Sequence, residues 1–174
     1  MELLSKDKRD RTSEFLFPKP ISRVRVISEK LLAALVNIIV LNIVTVVSSI
    51  LMVAVFAKNY SNNNLILVLM TGLFMMQLLF FALGAALAGL FNNPKLSSVV
   101  ATTILLGTYI ISVVVDLNPK LDNLKYITPF KYFDASAIIN SGHLDMFYVV
   151  LSLFISAVFI VSTFLTFENR DLKV

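Results

Sequence analysis

Four stretches of this chain contain no Asp, Glu, Lys or Arg, and no other feature constrains its fold as strongly. They cover residues 31–57, 59–94, 96–115 and 146–167, with lengths of 27, 36, 20 and 22 residues. A helix crosses the ~30 Å hydrocarbon layer of a bilayer in about 20 residues, so each stretch is long enough to span it. The 15 basic and 11 acidic side chains are gathered between them. Only 15% of the chain is charged and its mean hydropathy is +0.84, whereas soluble domains carry about 25% charge. A soluble globule and a disordered chain are therefore excluded. With no cysteine, so are a disulfide scaffold, a thiol nucleophile and a thiolate metal site.

The spans are expected to be helices. Pro18, Pro20, Pro94, Pro119 and Pro129 lie outside the charge-free cores or at their ends, whereas a membrane barrel would show alternating segments of about ten residues. The second stretch is longer than one crossing. Asn59, Ser61, Asn62, Asn63 and Asn64 are assigned to a loop, and Asn92, Asn93 and Pro94 to a turn. The fold class is thus all-α, a polytopic membrane protein with spans at about 31–57, 65–91, 97–116 and 146–167. A cytoplasmic segment, residues 1–30, precedes the membrane domain 31–174, whose outer loop is 117–145.

Orientation follows from the basic residues between spans. With both termini in the cytoplasm, eleven Lys and Arg lie inside and four outside, as the positive-inside rule requires. The net charge of +4 is concentrated before the first span, which makes it an orientation signal rather than a nucleic-acid surface. Residues 1–30 lack the apolar core of a secretory signal. The expected location is the plasma membrane.

Within the spans, Asn42, Thr45 and Ser49 share one helical face. Asn37 and Ser48 add polarity to the same span, and Gln77 is the most polar group in the second. Two readings of that face stand together: hydrogen bonding between helices, or the lining of a transport path. Gly84, Ala85, Ala88 and Gly89 form two overlapping small-xxx-small pairs that allow close helix approach. The spans also carry Thr102, Thr103, Thr108, Tyr109, Ser112, Ser152 and Ser156, ordinary packing material in membranes. No ionisable residue lies in a span core, which argues against an ion-coupled carrier. His143 reads as a loop residue near Asp145. The chain has no phosphate-binding glycine loop, zinc-protease motif or nucleophile elbow. No enzyme, metal site or cofactor is expected.

The N-terminal segment is richer. Thr12 or Ser13 can cap a helix with Glu14 in its first turn. Phe15, Leu16 and Phe17 form an apolar knob, and Pro18 and Pro20 end the helix. Two turns are too short to be stable alone, so the knob needs a partner groove or the lipid interface. Further on, Ile21, Val24, Ile27 and Leu31 share one face and Ser22, Arg23, Arg25, Glu29 and Lys30 the other, an interfacial amphipathic helix that feeds the first span.

The run Arg11-Thr-Ser-Glu-Phe-Leu-Phe-Pro-Lys-Pro-Ile-Ser-Arg23, followed by Glu29-Lys-Leu-Leu32 and a long span, resembles the cytoplasmic loop of ATP-binding-cassette (ABC) transporter permeases of the type-2 exporter class. Tyr126-Ile-Thr-Pro-Phe-Lys-Tyr-Phe-Asp134 resembles the family's short outer segment before its last span, and Phe167-Glu-Asn-Arg-Asp171 its cytoplasmic ending. The resemblance runs from about residue 9 to 172. It implies a permease subunit that couples ATP hydrolysis by a separate cytoplasmic ATPase to export. Thr12, Ser13, Glu14, Phe15, Leu16, Phe17, Pro18, Pro20 and Arg23 would form the coupling element, and Asn42, Thr45, Ser49 and Gln77 the path. The implied partners are that ATPase, a second permease subunit (the same chain or another) and the bilayer. The family usually has six spans and this chain starts where the third should begin, so the first two are expected to be missing. The alternative from another class is a four-span scaffold or regulatory subunit without transport.

Overall fold

The computed structural model describes residues 23–56, 63–91, 93–117 and 119–168, and among them there is no strand. Helix α1 is Arg23–Phe56, α2 is Asn63–Leu90 and α3 is Pro94–Leu117. A 3-10 helix, Pro119–Tyr126, leads into two short helices, α4 (Pro129–Tyr132) and α5 (Ala135–Ser141). Helix α6, Met146–Glu168, closes the fold. Four of these helices, α1, α2, α3 and α6, are long and apolar enough to cross a membrane, and they match the four spans expected.

Local chemistry sets the boundaries. Pro94 opens α3, where its missing N–H costs nothing, and the Asn93 side chain accepts from the Lys95 amide at 3.0 Å. Asp134 caps α5 by accepting from the Ser136 amide. Gly142, at φ 72°, ends α5 in the left-handed region that favours glycine, and its N–H reaches the Ile138 carbonyl. The Asp145 carboxylate accepts from the Phe147 amide at the start of α6.

From Arg23 onward the amphipathic stretch feeds into the first span as one helix, α1, unbroken for 34 residues. Neither Gly nor Pro occurs within α1, so nothing interrupts its hydrogen-bond ladder. Its first turns carry an exposed Arg25–Glu29 pair at 2.9 Å.

Helix α2 is the hub, packing against α1, α3, α6 and both short helices, most extensively against α6. These two run parallel: Gly72 lies against Leu144 at one end, and Gly89 against Thr166 and Phe167 at the other. The buried residues of α2 are Gly72, Leu79, Ala82, Ala86 and Gly89. Their near-3.5-residue repeat is the seam of a left-handed helix pair. This corrects part of the small-residue expectation. Gly89 does permit close approach, but Gly84 faces open space with nothing within 4 Å of where a Cβ would sit. The seam passes through Ala82 and Ala86 instead.

Candidate functional site

Two polar features interrupt the apolar bundle. The first joins α1 to α2: the Asn42 amide donates to the Gln77 side-chain oxygen at 3.4 Å, a long bond. Both residues are half-buried. Gln77 lies midway along α2, so the pair sits near the centre of the spans. Thr45 and Ser49 are half-buried on the same face of α1, but they do not join the pair. The Thr45 hydroxyl donates back to the Leu41 carbonyl of its own helix at 2.8 Å. Of the four residues expected to share a path, the structure thus brings two together. The coupling residues Thr12, Ser13, Glu14, Phe15, Leu16, Phe17, Pro18 and Pro20 lie outside the described residues. Arg23 is the first residue of α1.

The second feature caps one end of the bundle. Residues 128–133 are not a superficial loop. Fully buried Thr128 donates through its hydroxyl to the Thr108 carbonyl at 2.8 Å, nine residues (about 13 Å of helix) below the end of α3. Phe130 lies between Phe80 and Tyr109, with both ring centroids 5.4 Å away. Tyr132 and Phe133 are buried with Leu79 and Ile138, and Phe133 rests on the bare backbone of Gly72. The Tyr132 ring stacks on Tyr148 of α6 at 5.1 Å, and its hydroxyl donates to the Tyr126 carbonyl. The segment re-enters the bundle as a plug. Irregular backbone at such depth is tolerated only where protein surrounds it, and here α2, α3 and α6 do.

A charged clamp holds the plug. The Lys131 side chain is only 11% exposed, and its ammonium donates to Asp116 at the end of α3 and to Asp134 at 2.9 Å. Burial works against the charged ammonium, but the bonds to Asp116 and Asp134 outweigh it and hold the Lys131 pKa above the ordinary lysine value. Burial also disfavours the Asp134 carboxylate, yet donation from Lys131 and Ser136 keeps its pKa below the usual carboxylate value. Asp134 therefore stabilises the plug above the unfolded aspartate pKa of about 3.9 and loses that effect as pH falls through its lower folded value. Lys131 contributes below its unfolded pKa of about 10.4 and ceases to as pH rises through its higher folded value. Amide protection at 127–134, taken relative to the intrinsic base-catalysed exchange rate at each pH, should hold between about pH 4 and 10 and fall on either side. Lys131→Met should shrink the acid limb, and an unchanged limb would mean that the clamp does not hold the plug.

From sequence the segment Tyr126–Asp134 carries a family resemblance, with no role for Thr128, Lys131 or Asp134 and none for Asp116. The available signal was a lysine among aromatic residues with a carboxylate three positions on. His143, near Asp145 in sequence, has its Nδ1 2.8 Å from the Ser141 carbonyl instead.

Residues 1–172 match the model of the family described as ABC-2 family transporter protein. No curated protein and no solved structure matches the chain.

Proposed function

Because the chain belongs to the ABC-2 transporter family, and is thus a multi-pass permease subunit of an ABC transporter rather than a catalytic one, we propose that it works as an exporter driven by a separate cytoplasmic ATPase. The observation that carries this reading is the family match over nearly the whole chain, joined to four membrane-spanning helices. Both termini face the cytoplasm of the plasma membrane, so the plugged end faces outward. Residues 12–17 dock on the ATPase and α1 carries its motion into the bundle. A second permease subunit completes the transporter, and the substrate passes along the polar face at Asn42 and Gln77, with Thr45 and Ser49 on the same side. Four spans without ionisable groups in their cores suit a device powered by a partner's ATP hydrolysis rather than by an ion gradient.

The test is affinity capture of the full chain from its native membranes. A bound ATPase should accompany it, and ATP-dependent transport should follow reconstitution of the captured complex. Capture without any ATPase would favour a scaffold. One observation already favours a purely structural Asn42–Gln77 pair, namely that each amide finds a partner in the other. Asn42→Leu separates these roles. If the pair lines the path, transport falls while assembly is kept. If it only joins helices, the bundle loses about 0.6–2 kcal/mol and specific activity is unchanged.

A further inference from the structure

The chain reverses direction between α5 and α6, and a cleft of about 540 Å³ lies in this reversal, beside the plug. That volume falls within the range of small-molecule sites. Gly142 turns the backbone out of α5 in the left-handed region, and Asp145 caps the start of α6. Tyr132 and Tyr148, stacked at 5.1 Å, line the cleft together with the apolar side chains of Ile138, Leu144 and Met146.

Two polar groups of the cleft have unused capacity, and both are acceptors. The Asp145 carboxylate uses one oxygen on the Phe147 amide, and the other has no hydrogen-bond partner among the described residues. The His143 Nδ1 lies 2.8 Å from the Ser141 carbonyl. A carbonyl only accepts, so Nδ1 carries the proton and Nε2 of the neutral ring is an acceptor. Neither a hydrogen bond nor an ion pair joins His143 to Asp145, so they do not satisfy each other.

The nearby cations are committed elsewhere. Lys131 gives its ammonium to Asp116 and Asp134. Lys125 lies over the Tyr126 ring at 5.4 Å and does not line the cleft. Three carboxylates, Asp116, Asp134 and Asp145, thus stand against one lysine, and Asp145 has no counter-charge. A fitting ligand must donate hydrogen bonds, carry positive charge and bring an apolar body to the wall. A primary ammonium on an apolar body does all three. No group of three His, Asp or Glu able to hold a metal ion occurs among the described residues, and an anion would be repelled.

We propose that this cleft binds the ammonium of an amphipathic amine, with Asp145 and His143 Nε2 accepting from it and Tyr148, Ile138, Leu144 and Met146 covering its apolar part. The site is separate from the Asn42–Gln77 pair and does not depend on the transport reading. Met146, Val150 and Phe154 follow at steps of four along α6 and are all exposed, so the apolar wall continues along one face of a membrane span. The same chemistry therefore has two sources, the headgroup of phosphatidylethanolamine or a free amine.

The probe is phenethylamine, titrated into the full-length chain in nanodiscs of phosphatidylcholine and followed by ligand-observed magnetic resonance. A dissociation constant on the order of 1 mM is expected for a ligand of this size. 2-Phenylethanol, the same body without the charge, should bind roughly tenfold more weakly. Asp145→Asn keeps a capping acceptor for α6 and should weaken phenethylamine about three- to tenfold. His143→Phe, which removes the acceptor and keeps a ring, should weaken it about two- to tenfold. Glu29→Gln removes an exposed carboxylate in the first turns of α1, and should change nothing. Unchanged amide protection along α6 shows that the Asp145→Asn variant is folded. Nanodiscs that also contain phosphatidylethanolamine distinguish the sources. A lower apparent affinity there, seen in the natural chain and not in Asp145→Asn, identifies a bound headgroup, and equal affinity in both discs identifies a free amine. Equal binding of amine and alcohol, affinity indifferent to Asp145→Asn in the folded variant, or an equal effect of Glu29→Gln would each overturn the proposal.

Discussion

Phe133→Ala should release the plug at a cost of about 3–5 kcal/mol, the usual loss for removing a buried phenyl ring. The ring is buried with Leu79, Tyr132 and Ile138, and its Cβ approaches the bare backbone of Gly72. Truncation leaves a cavity beside Gly72, which has no side chain to move into it. Lipid bathes the sides of the bundle, so a dislodged plug recovers part of the hydrophobic term. What it loses is contact with densely packed neighbours. Amide exchange at residues 127–134 should rise steeply while exchange in the seam between α2 and α6 changes little. A loss below about 1 kcal/mol with unchanged exchange would show that the plug is anchored by the Lys131 clamp and the Thr128 bond instead.

The second large effect is expected at the other end of the functional chain. Phe15→Ala should lower ATPase affinity at least tenfold, a loss of about 2 kcal/mol or more, as truncation of an interface anchor does. Phe15, Leu16 and Phe17 are three adjacent large apolar residues in a segment otherwise rich in charge. In water they would carry an unfavourable hydration cost of about 25 cal/mol per Å². Glu14 and Arg23 flank them and would set register more than affinity. Insertion should be unaffected, because the first charge-free stretch begins sixteen residues later. Unchanged ATPase association, with residues 10–30 instead held less firmly by lipid, would identify a membrane anchor. The location this argument needs is checked by single cysteines at Ser5 and Lys173, which should label only from the cytoplasmic side.

Much of the architecture was legible in the sequence because hydropathy and charge act locally. Each of Lys58, Lys95 and the cluster after Leu117 is too costly to place in the middle of the hydrocarbon layer, so charge alone counts four spans, while uncharged Asn and Pro residues were needed to trim the second. Asn93 with Pro94, and Asp134 with Gly142, mark helix ends by chemistry confined to a few neighbouring residues. What the sequence could not determine is which face of each helix meets another. These helices are apolar nearly all round, so the amphipathic signal that orients a soluble helix is almost absent. The small residues of α2 offered more than one seam, and only the tertiary packing buried Ala82, Ala86 and Gly89, the last against α6, while leaving Gly84 facing open space. The same holds for the two amides of α1. Asn37 and Asn42 look alike in sequence, but the tertiary structure turned one toward Gln77 and left the other facing outward. The plug is the largest such decision. Thr128 reaches a carbonyl twenty residues earlier and Lys131 a carboxylate fifteen residues earlier, pairings that exist only once α3 and α6 stand far enough apart for the chain between them to fold back inward.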